Sequence, residues 1–100
     1  MIKVYGSTLC RYTRDLRLNL DKYNIEYEFH DINSSLQELK DFMHIRDKYS
    51  VFDRQKEVGG IGIPVIIDGD IVTNRWVKYL ESKGITKVLS YYEECVDKNC

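Results

Sequence analysis

The pair Asp68-Gly69 limits the folds open to this chain more than any other feature. It separates two short apolar runs, Ile63-Pro64-Val65-Ile66-Ile67 and Ile71-Val72. An Asp-Gly pair in that setting predicts a tight hairpin, with the two runs as antiparallel neighbours. Pro64 has no N–H to give to a ladder, so it belongs where the first of these strands begins. The upstream pattern is different. Ile2 to Tyr5 is β-branched and aromatic and reads as a strand, which Gly6-Ser7-Thr8 breaks. From Cys10 to Tyr23 the apolar positions Tyr12, Leu16, Leu20 and Tyr23 recur at helical spacing, and Asn24 supplies a stop. Ile25, Tyr27 and Phe29 then alternate with Glu26, Glu28 and His30, as in a half-buried strand. A strand–helix–strand unit and a hairpin in 100 residues predict one domain over residues 1–100. The fold class is α/β: a four-stranded mixed sheet flanked by helices, in the order β-α-β-α-β-β-α.

The remaining helices follow from caps and periodicity. Asn33-Ser34-Ser35 offers two capping boxes, Ser34 with Gln37 or Ser35 with Glu38. Leu36, Leu39, Phe42 and Met43 predict the inward stripe of a helix reaching about Tyr49. A short helical piece is expected from Phe52 to Val58, ended by Gly59-Gly60. Trp76, Val77 and Leu80 predict a helix ending at Gly84. A last helix is expected from Thr86 to about Val96, with Val88, Leu89, Tyr92 and Val96 inward.

Composition narrows the function classes. With 43% hydrophobic and 31% charged residues the chain has the material for a real core and is not a disordered segment. The net charge of −1, with both signs interspersed, lacks the basic footprint of a nucleic-acid binder. No apolar run approaches the roughly 18 residues of a membrane span. Three cysteines make an odd count, unlike a secreted disulfide scaffold. With a strand pattern rather than a leader at the start, the expectation is a cytoplasmic protein with no nucleic-acid or membrane partner.

Cys10 stands after a strand and a glycine turn, at the start of a helix. Unpaired N–H groups and the positive end of the helix dipole favour an anion there. A thiolate is such an anion and is the nucleophilic form of cysteine. Arg11 and Arg14 add positive charge in the same turn. The bland alternative is a cysteine that merely packs, against which the two arginines argue. Pro64 is the second informative position, because an X-Pro bond is the one ordinary place for a cis peptide. A cis bond would turn the Ile63 backbone outward as a docking strip for an extended ligand. By base rates alone a plain trans proline at a strand start is the commoner case.

Together these residues resemble the glutaredoxins over nearly the whole chain. Cys10-Arg11-Tyr12-Thr13 occupies the place of their active-site motif, after a similar strand and turn in Val4-Tyr5-Gly6-Ser7. Gly62-Ile63-Pro64-Val65-Ile66-Ile67 resembles their cis-proline segment, and Asp68 to Val72 the hairpin that follows it. The chain looks most like short clostridial-type glutaredoxin-related proteins, which carry an Ile-Gly-Ile-Pro segment. The resemblance implies a thioredoxin fold, a cis Pro64, and thiol–disulfide exchange with glutathione as co-substrate, without a metal. Typical members read Cys-Pro-Tyr-Cys; here Arg11 replaces the proline and Thr13 the second cysteine. Loss of that thiol implies a monothiol route on glutathione mixed disulfides, with Cys10 as nucleophile and Arg11 and Thr13 beside it. The Thr13 hydroxyl is expected to donate to the thiolate. Tyr12, Ile63, Pro64, Thr73 and Asn74 stand where the family contacts glutathione. Ser7 stands where the family often has a lysine for a glutathione carboxylate, so Arg11 or Arg46 would supply that charge. The expected partners are glutathione and glutathionylated proteins, with the chain a monomer.

Other readings stay open. Cys10-x₃-Arg14 is also similar to the arsenate reductase and Spx-like group of the same fold, and the departures suit a redox-fold binding module without catalysis. The motif Cys-Gly-Phe-Ser of cluster-binding relatives is absent. Cys95 and Cys100, five apart, make no zinc pattern; they read as a packed and a free thiol, or as a resolving thiol for Cys10. His30 reads as a strand-end residue, His44 as helix surface, and Arg46 to Glu57 as a solvated charged stretch.

Overall fold

The computed structural model describes residues 1–90. Strand β1 (Ile2–Gly6) leads into α1 (Arg11–Lys22), β2 (Tyr27–Asp31) and α2 (Leu36–Lys48). A 3₁₀ turn (Ser50–Phe52) and α3 (Asp53–Val58) follow, then β3 (Val65–Asp68), β4 (Ile71–Thr73) and α4 (Trp76–Ser82). The four strands form one mixed sheet in the order β2-β1-β3-β4. β1 runs parallel to β2, with Val4 opposite Phe29, and antiparallel to β3, with Val4 opposite Ile66. β3 and β4 form the hairpin, with Ile67 opposite Val72. This is the α/β architecture expected from the sequence, in a thioredoxin-like arrangement.

The sheet's period of two divides the core in two. Ile2 and Val4 of β1 and Ile66 of β3 pack with Leu16 and Leu20 of α1 and Leu80 of α4. Tyr5 of β1 and Val65 of β3 point the other way, into a cluster with Phe42 of α2 and Phe52. Each helix ends as its sequence predicts. Asn24 takes a left-handed conformation (φ 56°). The Asn24 N–H donates to the Asp21 carbonyl (3.3 Å) and the Ile25 N–H to that of Leu20 (2.9 Å), a Schellman cap. Gly84 repeats the motif, with Ile85 N–H donating to Leu80 at 3.0 Å. Of the two candidate caps on α2, Ser35 is used: its Oγ accepts the Glu38 N–H (3.1 Å).

Three local expectations are corrected. The hairpin loop is Gly69-Asp70 rather than Asp68-Gly69, since Asp68 still pairs with Ile71. Glycine at the first loop position, with φ 58°, is where a type II′ turn wants it. The inward face of α2 is not Leu36, Leu39, Phe42 and Met43: only Phe42 is buried, and Leu36, Leu39 and Met43 face solvent. Ile45 joins Phe42 in the core, with Tyr49 just past the helix end, a stripe of spacing three and four rotated from the expected one. Residues 86–90 are not helical. The buried Asn19 side chain holds them across α1, its Nδ2 donating to the Leu89 carbonyl (2.8 Å) and its Oδ1 accepting the Leu89 N–H (2.7 Å). The rest of the expected last helix, with Tyr92, Val96, Cys95 and Cys100, lies outside the described residues.

Candidate functional site

Cys10 is the N-cap of α1, in extended backbone conformation (φ −93°, ψ 124°). Its N–H donates to the Ser7 carbonyl (2.9 Å) and its own carbonyl accepts the Arg14 N–H (3.1 Å). These bonds bend the chain from strand to helix and put the sulfur, partly exposed, at the helix's positive end. Gly6 permits this turn. A Cβ there would lie 2.6 Å from Thr13 Cγ2 and 2.7 Å from Thr13 Oγ1. Thr13 is fully buried under the turn, and its Oγ1 accepts the Ser7 N–H (3.3 Å). The Thr13 oxygen thus serves the backbone of the turn that carries Cys10.

The Ile63–Pro64 bond is cis. Pro64 is buried, and the ladder starts only at Val65, so the backbone of Gly62 and Ile63 stands clear of the strands. Gly62 has φ 96°, and a Cβ on it would come within 2.6 Å of the buried Phe52 ring. Arg46 fixes the preceding residues: its Nη2 donates to the Gly60 carbonyl (2.6 Å) and its Nε to that of Ile61 (3.0 Å). The guanidinium expected to meet a ligand carboxylate is therefore engaged in shaping the loop.

A cavity of about 420 Å³ joins these two features. Cys10 and Leu9 line one side and Ile61, Gly62 and Ile63 another, with Ser7, Ile32 and Asn33 closing it. The buried Ser7 hydroxyl donates to Asn33 Oδ1 and accepts the Leu9 N–H (3.1 Å). Ser7 thus ties the turn before Cys10 to the end of β2. Arg14 Nη1 donates to the Thr8 carbonyl (2.8 Å), and the Arg11 guanidinium lies 5.0 Å from the centre of the Tyr12 ring.

Of the site residues expected from the sequence, Cys10 and Ile63 share the cavity. Pro64, next to Ile63, is buried and outside the lining, and Tyr12, two residues after Cys10, is exposed. Thr73 and Asn74 do not line it: the Thr73 hydroxyl accepts the Arg75 N–H (3.0 Å) and Asn74 Nδ2 donates to Gln55 Oε1 (3.1 Å). Leu9, Ile32, Asn33 and Ile61 went unread as site residues, and only the exposure of Leu9 and Ile61 marks them afterwards. His44 is on the helix surface as expected. His30 has a larger role than a strand end: its ring stacks on Tyr5 (4.5 Å), and its nitrogens face Glu38 (2.9 Å) and Glu28 (3.1 Å). Burial, and then the charges of Asp41, Glu38 and Glu28, push the Tyr5 hydroxyl's pKa up. No helix among the described residues is long and apolar enough to cross a membrane. No cluster of three or more His, Cys, Asp or Glu suited to a metal occurs among them either.

An uncharacterized protein of Haemophilus influenzae is 36% identical over 73 residues, covering 71% of this chain and 84% of that protein. The chain belongs to the same family as that protein. No family model matches the chain. No solved structure matches it.

Proposed function

We propose that the chain is a glutaredoxin-like thiol–disulfide oxidoreductase that works by a monothiol route, with Cys10 as its nucleophile. The observation that carries this reading is the single cavity lined by both a helix-capping cysteine and the residue of a cis X-Pro bond. The Cys10 thiolate attacks one sulfur of a glutathione mixed disulfide; the S–S bond breaks and the protein thiolate leaves and takes up a proton. A second glutathione attacks the Cys10 adduct, giving oxidised glutathione and restoring the thiolate. With the buried Thr13 in the last place of Cys10-Arg11-Tyr12-Thr13, the motif has no second thiol, so glutathione serves as co-substrate. Glutathionylated proteins or small molecules are the substrates, and the reducing cytoplasm is the compartment that suits them. The turn bonds of Ser7 and Thr13 hold the sulfur in place, and the Ile63 backbone offers an extended edge to the ligand.

A glutathione-coupled assay on a mixed disulfide tests this. Turnover by the wild type with loss of at least about 100-fold in Cys10→Ser is expected, in line with removal of a nucleophile. A wild-type rate no better than that of Cys10→Ser rejects it.

A further inference from the structure

We infer that the cavity beside Cys10 selects disulfides whose cysteine is flanked by neutral, apolar residues, as in an extended segment of a partner protein, over those whose cysteine is flanked by acidic residues. This rests on the reading of Cys10 as the nucleophile. The volume, about 420 Å³, admits either ligand; charge and surface decide between them. Apart from the reacting Cys10, none of the eight lining residues is ionisable, and four of them are Leu9, Ile32, Ile61 and Ile63. The polar pair among them, Ser7 and Asn33, is bonded to itself. The nearest arginines, Arg46, Arg14 and Arg11, are not in the lining, and the first two donate to backbone carbonyls. A ligand carboxylate drawn into this space would lose water with no cation in the lining to pair with, since Arg11 lies outside it over the Tyr12 ring, which is unfavourable.

The rim makes the complementary case. Leu9 is 79% exposed, Ile61 56% and Tyr12 52%, so three large apolar side chains crowd one partly exposed sulfur. Scattered apolar exposure is ordinary, but a collar around a nucleophile fits an apolar partner. The Gly62-Ile63 backbone beside it offers an extended edge for a peptide to lie along. In the reaction, the Cys10 thiolate attacks one sulfur of the partner's disulfide. The other sulfur leaves as a thiolate and is protonated. A low-molecular-weight thiol then attacks the Cys10 mixed disulfide, is itself left oxidised after a second equivalent reacts, and returns the partner thiol and free Cys10.

The test uses the full chain and three symmetric disulfides: that of N-acetyl-Leu-Cys-Val-amide, that of N-acetyl-Glu-Cys-Glu-amide, and oxidised glutathione. Adduct formation at Cys10 is followed by acid quench and peptide mapping. Each rate is divided by that of N-acetylcysteine with the same disulfide, which cancels the disulfide's own reactivity. The expected preference for the apolar peptide over the acidic one is about tenfold, equivalent to burying roughly half a leucyl side chain, while oxidised glutathione reads the proposed glutathione step. Ile61→Lys, on an exposed side chain, should shrink that preference at least about fivefold by adding a cation at the rim. A normalised preference under threefold, with Cys10 still outpacing N-acetylcysteine, overturns this inference and leaves the nucleophile standing. Cys10 reacting no faster than N-acetylcysteine with every disulfide overturns both.

Discussion

Gly62→Ala tests how the segment before Pro64 is held. Gly62 has φ 96°, a region that costs an alanine about 1–3 kcal/mol. The new methyl would also stand 2.6 Å from Phe52 Cδ1 and 2.9 Å from Cε1. Phe52 cannot easily give way. It is fully buried and packs edge-on against Phe42, with ring centres 5.9 Å apart. Overpacking of that kind costs about 1–3 kcal/mol. The sum is about 4 kcal/mol, which in a domain of this size lowers Tm by roughly 15–30 °C. Gly59→Ala is the control: its φ is 77°, but no atom lies within 4 Å of the added Cβ. It should cost only the backbone strain, about 1–2 kcal/mol. Thermal unfolding followed by circular dichroism compares the two, and Phe52→Leu in both backgrounds closes the cycle. The collision predicts that Phe52→Leu relieves Gly62→Ala and not Gly59→Ala. Equal melting of the two alanine variants, with no relief by Phe52→Leu, would refute the steric reasoning.

Three further substitutions probe other parts of the frame. Asn19→Ala removes the bonds that hold Leu89 and should cost about 2–4 kcal/mol in urea unfolding, because two backbone groups lose their partner; a change under about 0.5 kcal/mol would show that the strap contributes nothing. Ser35→Ala should cost about 1 kcal/mol through loss of the cap on Glu38 N–H, read in the same assay. The third concerns alkaline pH. Burial and the hydrogen bond to Asp68 push the Tyr79 pKa up to about 12 in the folded protein, against 10.0 ordinarily. A raised folded pKa means that this stability is complete below pH 10 and is lost as pH rises from there through 12. The Tm advantage of wild type over Tyr79→Phe should therefore narrow above about pH 10, and a constant gap would contradict the assignment.

Local chemistry was legible in the sequence, and long-range chemistry was not. Asn24 and Gly84 stop their helices because the left-handed cap is a property of the residue itself. The Asp68-Gly69 pair announced the hairpin, although the loop slipped by one residue once Asp68 paired with Ile71. The inward face of α2 was misread because two apolar stripes at helical spacing share that helix. Periodicity does not say which of them meets the sheet. Two polar residues beside the chosen stripe hold the rotation: Glu38 reaches His30 in β2, and Arg46 reaches the carbonyls before Pro64. Neither partner is near in sequence. The same holds at the site. Cys10 and Pro64 stood out as residue types, whereas the Ser7–Asn33 tie, the packing of Gly6 on Thr13 and the exposed rim of Leu9 and Ile61 exist only once distant segments meet.

The central claim is that the fold makes Cys10 the reactive thiol. The chain carries its own comparison, since Cys95 and Cys100 are present in the same molecule. Brief treatment of the reduced full chain with a disulfide in excess, quenched by acid and mapped by mass spectrometry, reads all three thiols at once. The mixed disulfide should form first at Cys10, at least about tenfold faster than at either other cysteine, because its partly exposed sulfur lines the cavity beside the Ile63 backbone. Equal labelling of the three, or labelling of Cys95 or Cys100 ahead of Cys10, would contradict it.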